Sequence, residues 1–185
     1  ATMTTSFPTR WSARARLRLL AMIAMVSLVF AAAVQAQTRT TITIRGQDQT
    51  LYLYGPATGD PVVVSSGDGG WMHLGPHVAE VLARRGMFVV GFDVKAYLSS
   101  FTSGHAALRK EDEPSDYKVL AQFARQRSGK SPILIGVSEG AGLSVLAATD
   151  PGTKTEIAGV IGLGLPDMNE LAWRWKDSLI YVTHK

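Results

Sequence analysis

Cysteine is absent from this chain of 185 residues, so even an oxidising compartment gives it no disulfides, and core burial alone must hold it. Net positive charge is also absent once the first 36 residues are set aside. Arg10, Arg14, Arg16 and Arg18 are the only charged residues of that segment, and they supply the whole excess of 19 Lys and Arg over 15 Asp and Glu. The rest is neutral, and no basic patch argues for nucleic acid as a partner. Long apolar runs are missing from residues 37–185. The one that precedes them, LLAMIAMVSLVFAAAV at 19–34, falls short of the roughly 20 residues that cross a bilayer. With the arginines before it and Val34-Gln35-Ala36 after it, residues 1–36 read as a secretory signal peptide cleaved after Ala36. Export to the periplasm or beyond is then expected, with no stable membrane span afterwards. The competing reading is a retained anchor. Residues 37–185 are long enough to bury one domain core.

That domain alternates between two patterns. TTITIRGQDQTLYLY (40–54) predicts two alternating strands around a GQDQ turn. PVVVSS (61–66), MFVVGFDV (87–94), PILIGVS (132–138) and IAGVIGLGLP (157–166) are short continuous apolar runs, as strands buried on both faces should be. Between them lie amphipathic segments. The helix over 76–86 has Pro76 near its start and Gly86 as its stop, with Val78, Val81 and Leu82 on one face. A second helix is capped by Ser115 and faces Val119, Leu120, Phe123 and Ala124 inward. Residues 93–114 read as a long polar loop, 167–177 as a short helix, and SLIYVT (178–183) as a last strand. This is an α/β fold: a mostly parallel sheet with helices on both faces and right-handed crossovers, opened by an antiparallel pair. Chemistry in such sheets sits beyond the carboxyl ends of the strands.

Two stretches end there. LIGVSEGAGL (134–143) places Ser138 between Gly136 and Gly140, after a strand and before a helix. This is the pattern of a nucleophile elbow, whose strained turn lifts the serine oxygen above the sheet and needs glycine where neighbouring backbone crowds in. The N–H of Glu139, at the helix amino terminus, would point where an oxyanion forms. SSGDGGW (65–71) follows the first buried strand, and the N–H of Asp68 or Gly69 would give the other half of an oxyanion hole. The bland alternatives are an ordinary small-residue corner and a tight glycine turn. A third reading, a dinucleotide site, is disfavoured by Met72, which stands where the last glycine of G-x-G-x-x-G is needed.

These motifs together resemble a known family. The strand, GVSEG and helix are similar to the α/β-hydrolases. More narrowly, SSGDGGW, VVGFDV, LIGVSEGAG and GLGLPDMNELAWRW resemble the bacterial virulence proteins called VirJ or AcvB, over roughly residues 45–185. The resemblance implies a periplasmic serine-hydrolase-like protein with Ser138 as nucleophile and no metal or organic cofactor. Its implied substrate is an ester or lipid, aminoacylated phosphatidylglycerol among them, and some members are implied to assist export of virulence proteins. It also implies that the family's acid and histidine lie further along, so that the sequence is a fragment ending before the last strands and leaves an exposed apolar edge.

Within this chain the order serine, acid, histidine permits Ser138, Asp167 and His184, although a penultimate histidine is poorly held as a base. His73 and His77 are four apart, but Gly75 and Pro76 break the helix between them and no third metal ligand is evident. His105 lies in the long loop, either bordering a cleft or solvated. Trp173 and Trp175 cannot share one helical face, and KEDE (110–113) reads as a solvated approach to a helix. The competing function is a non-catalytic protein that uses this scaffold to bind exported proteins or lipids, since fold alone does not establish activity.

Overall fold

Two residues make the first turn. Strand β1 (Thr38–Ile44) runs antiparallel to β2 (Gln47–Tyr54), with Ile44 opposite Gln47, so Arg45 and Gly46 alone connect them. Both have positive φ, 46° and 79°, as a two-residue hairpin turn matched to strand twist requires. The expected GQDQ turn is therefore displaced by a residue, and Gln47 and Asp48 belong to β2. Arg45 tolerates its backbone because its guanidinium is firmly held. The guanidinium lies 3.9 Å over the Phe101 ring and donates to Asp116 from Nε at 2.8 Å and from NH2 at 2.6 Å. A computed structural model describes residues 37–103, 107–167 and Leu171. The segment 1–36, His105, the expected helix past Asp167 with Trp173 and Trp175, the strand at 178–183 and His184 lie outside those residues.

The apolar runs become strands β3 (Pro61–Ser65), β4 (Phe88–Phe92), β5 (Ile133–Val137) and β6 (Gly159–Leu163). Every residue of β3 and β4 is buried. The strand order is β1-β2-β4-β3-β5-β6; β2 meets β4 antiparallel, and β4, β3, β5 and β6 are parallel. Because Ser65 pairs with both Phe92 and Gly136, the carboxyl ends of the parallel strands share one edge. The chain leaves β3 toward β4 and returns across β3 to β5, so the crossover direction reverses between β3 and β5. The loops after those two strands open a crevice there.

Helices cover both faces. Helix α1 (Leu74–Arg84) places Val78, Ala79 and Leu82 against Val62, Val64, Val89 and Ile135. On the opposite face lie α2 (Val94–Phe101), α3 (Glu113–Ser128) and α4 (Glu139–Thr149), whose Tyr97, Tyr117, Leu120 and Leu143 pack with Val63, Val90, Phe92 and Leu134.

Helix α2 corrects the expected 93–114 loop. Asp93 caps it, accepting from the Ala96 N–H at 3.0 Å, and Val94, Tyr97 and Leu98 are buried at helical spacing. Helix α3 begins at Glu113 with Pro114 in its first turn, two residues before the expected Ser115 cap. Its buried stripe also shifts. Leu120 and Ala124 face inward as expected, Phe123 is half-buried, and Val119 is exposed, while Glu113, Asp116 and Tyr117 are buried. KEDE is thus solvated only in part. Among the described residues β6 is the outer strand; Ile161 on it is 46% exposed, and Leu165 just past it 58%.

Candidate active site at the end of the fifth strand

Ser138 leaves β5 with φ 52° and ψ −119°, a conformation that costs a non-glycine residue on the order of 1–3 kcal/mol. The corner is forced by what surrounds it. A methyl group on Gly136 would overlap the carbonyl of Gly140 and the Cα of Ala141, and one on Gly140 would lie 2.7 Å from the Ser65 carbonyl oxygen and closer still to that of Ser66. Strand and helix can approach this closely only with glycine on both sides of the serine. The Ser138 N–H donates to the Leu163 carbonyl at 2.8 Å, which fixes the corner to β6, and the Ser138 carbonyl accepts from Ala141 at 2.8 Å. What remains is the side chain, which is exposed above the sheet edge. Glu139 opens α4, in the first turn where N–H groups have no carbonyl partner inside the helix.

The loop after β3 faces this corner. At Gly67 an added methyl would meet Ser138 Cβ at 3.3 Å and Oγ at 3.9 Å. Asp68 and Gly69 follow, both exposed. The loop's own turn uses the N–H groups of Gly70 and Met72, which donate to Gly67 and Gly70 carbonyls at 3.0 and 2.8 Å. Those of Asp68 and Gly69 meet no acceptor among the described residues. Ser66 ties the loop to β4: its N–H donates to Phe92, its hydroxyl accepts from the Val94 N–H at 3.0 Å and donates to the Gly67 carbonyl at 3.1 Å.

Two residues of this loop carry more than the sequence reading assigned them. Gly67 is the glycine that leaves room beside the serine, and the first glycine of SGDGG was the available signal. Trp71 anchors the loop's exit. Its indole lies on Gly91 of β4, where a methyl would overlap the ring, stacks on Tyr52 at 5.1 Å and donates from Nε1 to Tyr54 Oη at 3.3 Å.

Asp167 is exposed, four residues past β6 at the same sheet edge, and no hydrogen bond among the described residues joins it to Ser138. No general base meets Ser138 Oγ among the described residues. His73 stands outside α1 as its N-cap, with φ 56° and ψ −106°, so it and His77 do not present a helical metal pair; among the described residues no three His, Asp or Glu side chains gather as a metal site. The His73 side chain makes no capping bond. His73→Gly is therefore expected to gain about 1 kcal/mol by releasing backbone strain, less the unfolded-state entropy of glycine. A higher urea midpoint at unchanged slope is the check.

A buried polar cluster joins the β1–β2 turn, α2 and α3. Asp116 accepts from Arg45 and, at 2.6 Å, from the Tyr97 hydroxyl. Burial and that bond push the Tyr97 phenol well above its ordinary range. Glu113 is wholly buried and neither carboxylate oxygen has a hydrogen-bond partner; burial, then the Asp116 charge, push it up to about 9.

Comparison with known proteins bears on the family and the fold. A profile described as bacterial virulence protein (VirJ) matches residues 60–171, more than half of the chain. No curated protein sequence matches it significantly. Among solved structures, a putative dienelactone hydrolase from Klebsiella pneumoniae is similar with a TM-score of 0.58 and 14% identity, covering 73% of this chain and 62% of that one. The N-formylmaleamic acid deformylase of Pseudomonas putida has a TM-score of 0.57 at 17% identity, covering 78% and 55%. An α/β hydrolase from a Penicillium species has a TM-score of 0.57 at 13% identity, covering 69% and 45%. The chain thus spans about half to three fifths of the length of these structures. The likeness establishes an α/β-hydrolase fold.

Proposed function

This chain belongs to the bacterial virulence protein (VirJ) family, and we propose that it is part of an exported serine hydrolase of the esterase type. The observation that carries the reading is Ser138, an exposed hydroxyl on a positive-φ corner that faces a loop with two unengaged amides. Its Oγ attacks an ester carbonyl. The N–H of Glu139 and that of Asp68 or Gly69 hold the developing negative charge, each donor contributing on the order of 3 kcal/mol to the barrier reduction. A histidine takes the serine proton and returns it to the leaving alcohol. In chain order this sequence offers His184, oriented by Asp167, and a later histidine of the full-length protein is the alternative. Residues 1–36 direct the protein to the periplasm or outside the cell, and aminoacylated phosphatidylglycerol is the ester we favour. A neighbour named for a lactone substrate supports ester chemistry on this scaffold.

The second reading is a non-catalytic protein that binds exported proteins or lipids; what favours it is that no base meets Ser138 among the described residues. A fluorophosphonate probe separates the two. The full-length mature protein is expected to label, and Ser138→Ala to lose the label while keeping its melting temperature. A folded protein that takes no label at all leaves the binding reading standing.

A further inference from the structure

Tyr117 carries a buried hydroxyl that the mechanism above does not use. It comes from α3, has no exposed surface, and sets its ring edge-on to Phe92 at 5.8 Å between centroids. Phenylalanine would fill that volume without the cost of taking a hydroxyl out of water. The hydroxyl instead donates to Ser65 Oγ at 3.0 Å. Ser65 is the last residue of β3, the strand that leads into the Gly67–Asp68 loop, and its carbonyl lies against Gly140 of the elbow. Ser144 of α4 faces the same phenol without completing a hydrogen bond, and the carboxyls of Glu113 and Glu139 both act on it. One phenol therefore sits between the two pieces of backbone that carry the two oxyanion donors.

Such donors work only at 2.7–3.1 Å from the oxyanion, and a misplacement of about 1 Å costs up to roughly 10²-fold in rate. We propose that Tyr117 is a positioning residue for the hydrolytic site: its bond to Ser65 fixes the end of β3, and with it the oxyanion loop, on α3, which packs beside the helix that follows Ser138. The inference rests on the serine-hydrolase reading. It requires the hydroxyl itself, beyond the ring.

The test uses a fluorophosphonate probe on the full-length mature protein, with maximal labelling rate and half-saturating probe concentration measured separately. Tyr117→Phe is expected to lower the maximal rate about 10-fold while the half-saturating concentration stays within about 2-fold. A merely structural bond would lower the urea midpoint and leave the labelling rate of the folded protein alone. Ser65→Ala repeats the test from the other partner, should the first variant fold poorly. The double variant is expected to lose no more rate than either single one, because both remove one bond. Folded Tyr117→Phe or Ser65→Ala that labels at the wild-type rate overturns the positioning role and leaves the hydrolase reading intact. A wild-type protein that never labels removes both.

Discussion

Alanine at Gly140 is expected to destabilise the domain by about 3 kcal/mol or more and to abolish labelling of Ser138, with Gly136→Ala close behind. At both positions the added methyl meets backbone, not a flexible side chain: the Ser65 and Ser66 carbonyls for Gly140, the Gly140 carbonyl and Ala141 Cα for Gly136. Overpacking a rigid site typically costs 1–3 kcal/mol, and more where the obstruction is backbone that cannot rotate away. Gly67→Ala is the intermediate case. Its methyl would sit 3.3 Å from Ser138 Cβ and 3.4 Å from the Val137 carbonyl oxygen, so a few tenths of an ångström of movement accommodates it. That movement falls on the nucleophile. Labelling should therefore drop while stability changes by less than about 1 kcal/mol. Gly69→Ala meets nothing within 4 Å and is expected to stay within about 0.5 kcal/mol of wild type. Urea denaturation of the four variants gives the order directly. A Gly140→Ala protein as stable as Gly69→Ala would mean that strand and helix do not pack as closely as the elbow demands.

The same glycines explain why the site was legible in the sequence. A strand ending in Gly-x-Ser-x-Gly before a helix has few physical solutions, because the spacing dictates a close approach that any side chain would block. The parallel strands were legible for a related reason: PVVV and FVVGF are apolar at every position, which only a strand covered on both faces tolerates. What escaped was the work done by polar side chains inside the fold. Helix α2 hides in DVKAYLSSF because Ser99 and Ser100 read as loop, although each returns its hydroxyl to a backbone carbonyl, of Lys95 and Tyr97, at 2.6 and 2.7 Å. Helix α3 rotates its buried stripe toward Glu113, Asp116 and Tyr117 at the expense of Val119. Hydrophobic periodicity cannot foresee this, because the partner that permits Asp116 to be buried is Arg45, far away in sequence on the β1–β2 turn. The role of Gly67 beside the nucleophile escaped because sequence spacing does not show how the loop is placed, which Ser66 does by binding the end of β4.

Glu113 gives the second large effect, and its sign is opposite to that of an ordinary carboxylate. Between the unfolded value near 4.5 and the folded value of about 9, the folded chain holds a proton that the unfolded chain has released. Stability must then fall as pH rises through that window, by about 1.4 kcal/mol per pH unit, and level off above about 9. At pH 7 the domain should stand on the order of 3 kcal/mol below its value at pH 5 on this account alone. The charged groups around Glu113 do not reverse this. Asp116 raises it further, Tyr97 and Tyr117 stay neutral, and Arg45 is engaged by Asp116 and Asp112. Asp112, Asp150 and Glu156, held below their usual range, lose their contributions only on acidification below that window. Glu113→Gln removes the titrating group and keeps the shape. The buried amide brings a cost of its own, but that cost does not change with pH, so the difference between variant and wild type isolates the carboxyl. Urea midpoints at pH 5.5, 7 and 8.5 should show the variant gaining steadily on wild type. Parallel curves would mean that Glu113 finds a hydrogen-bond donor or a path to solvent. In that case the polar cluster around Glu113 is wetter than its burial indicates.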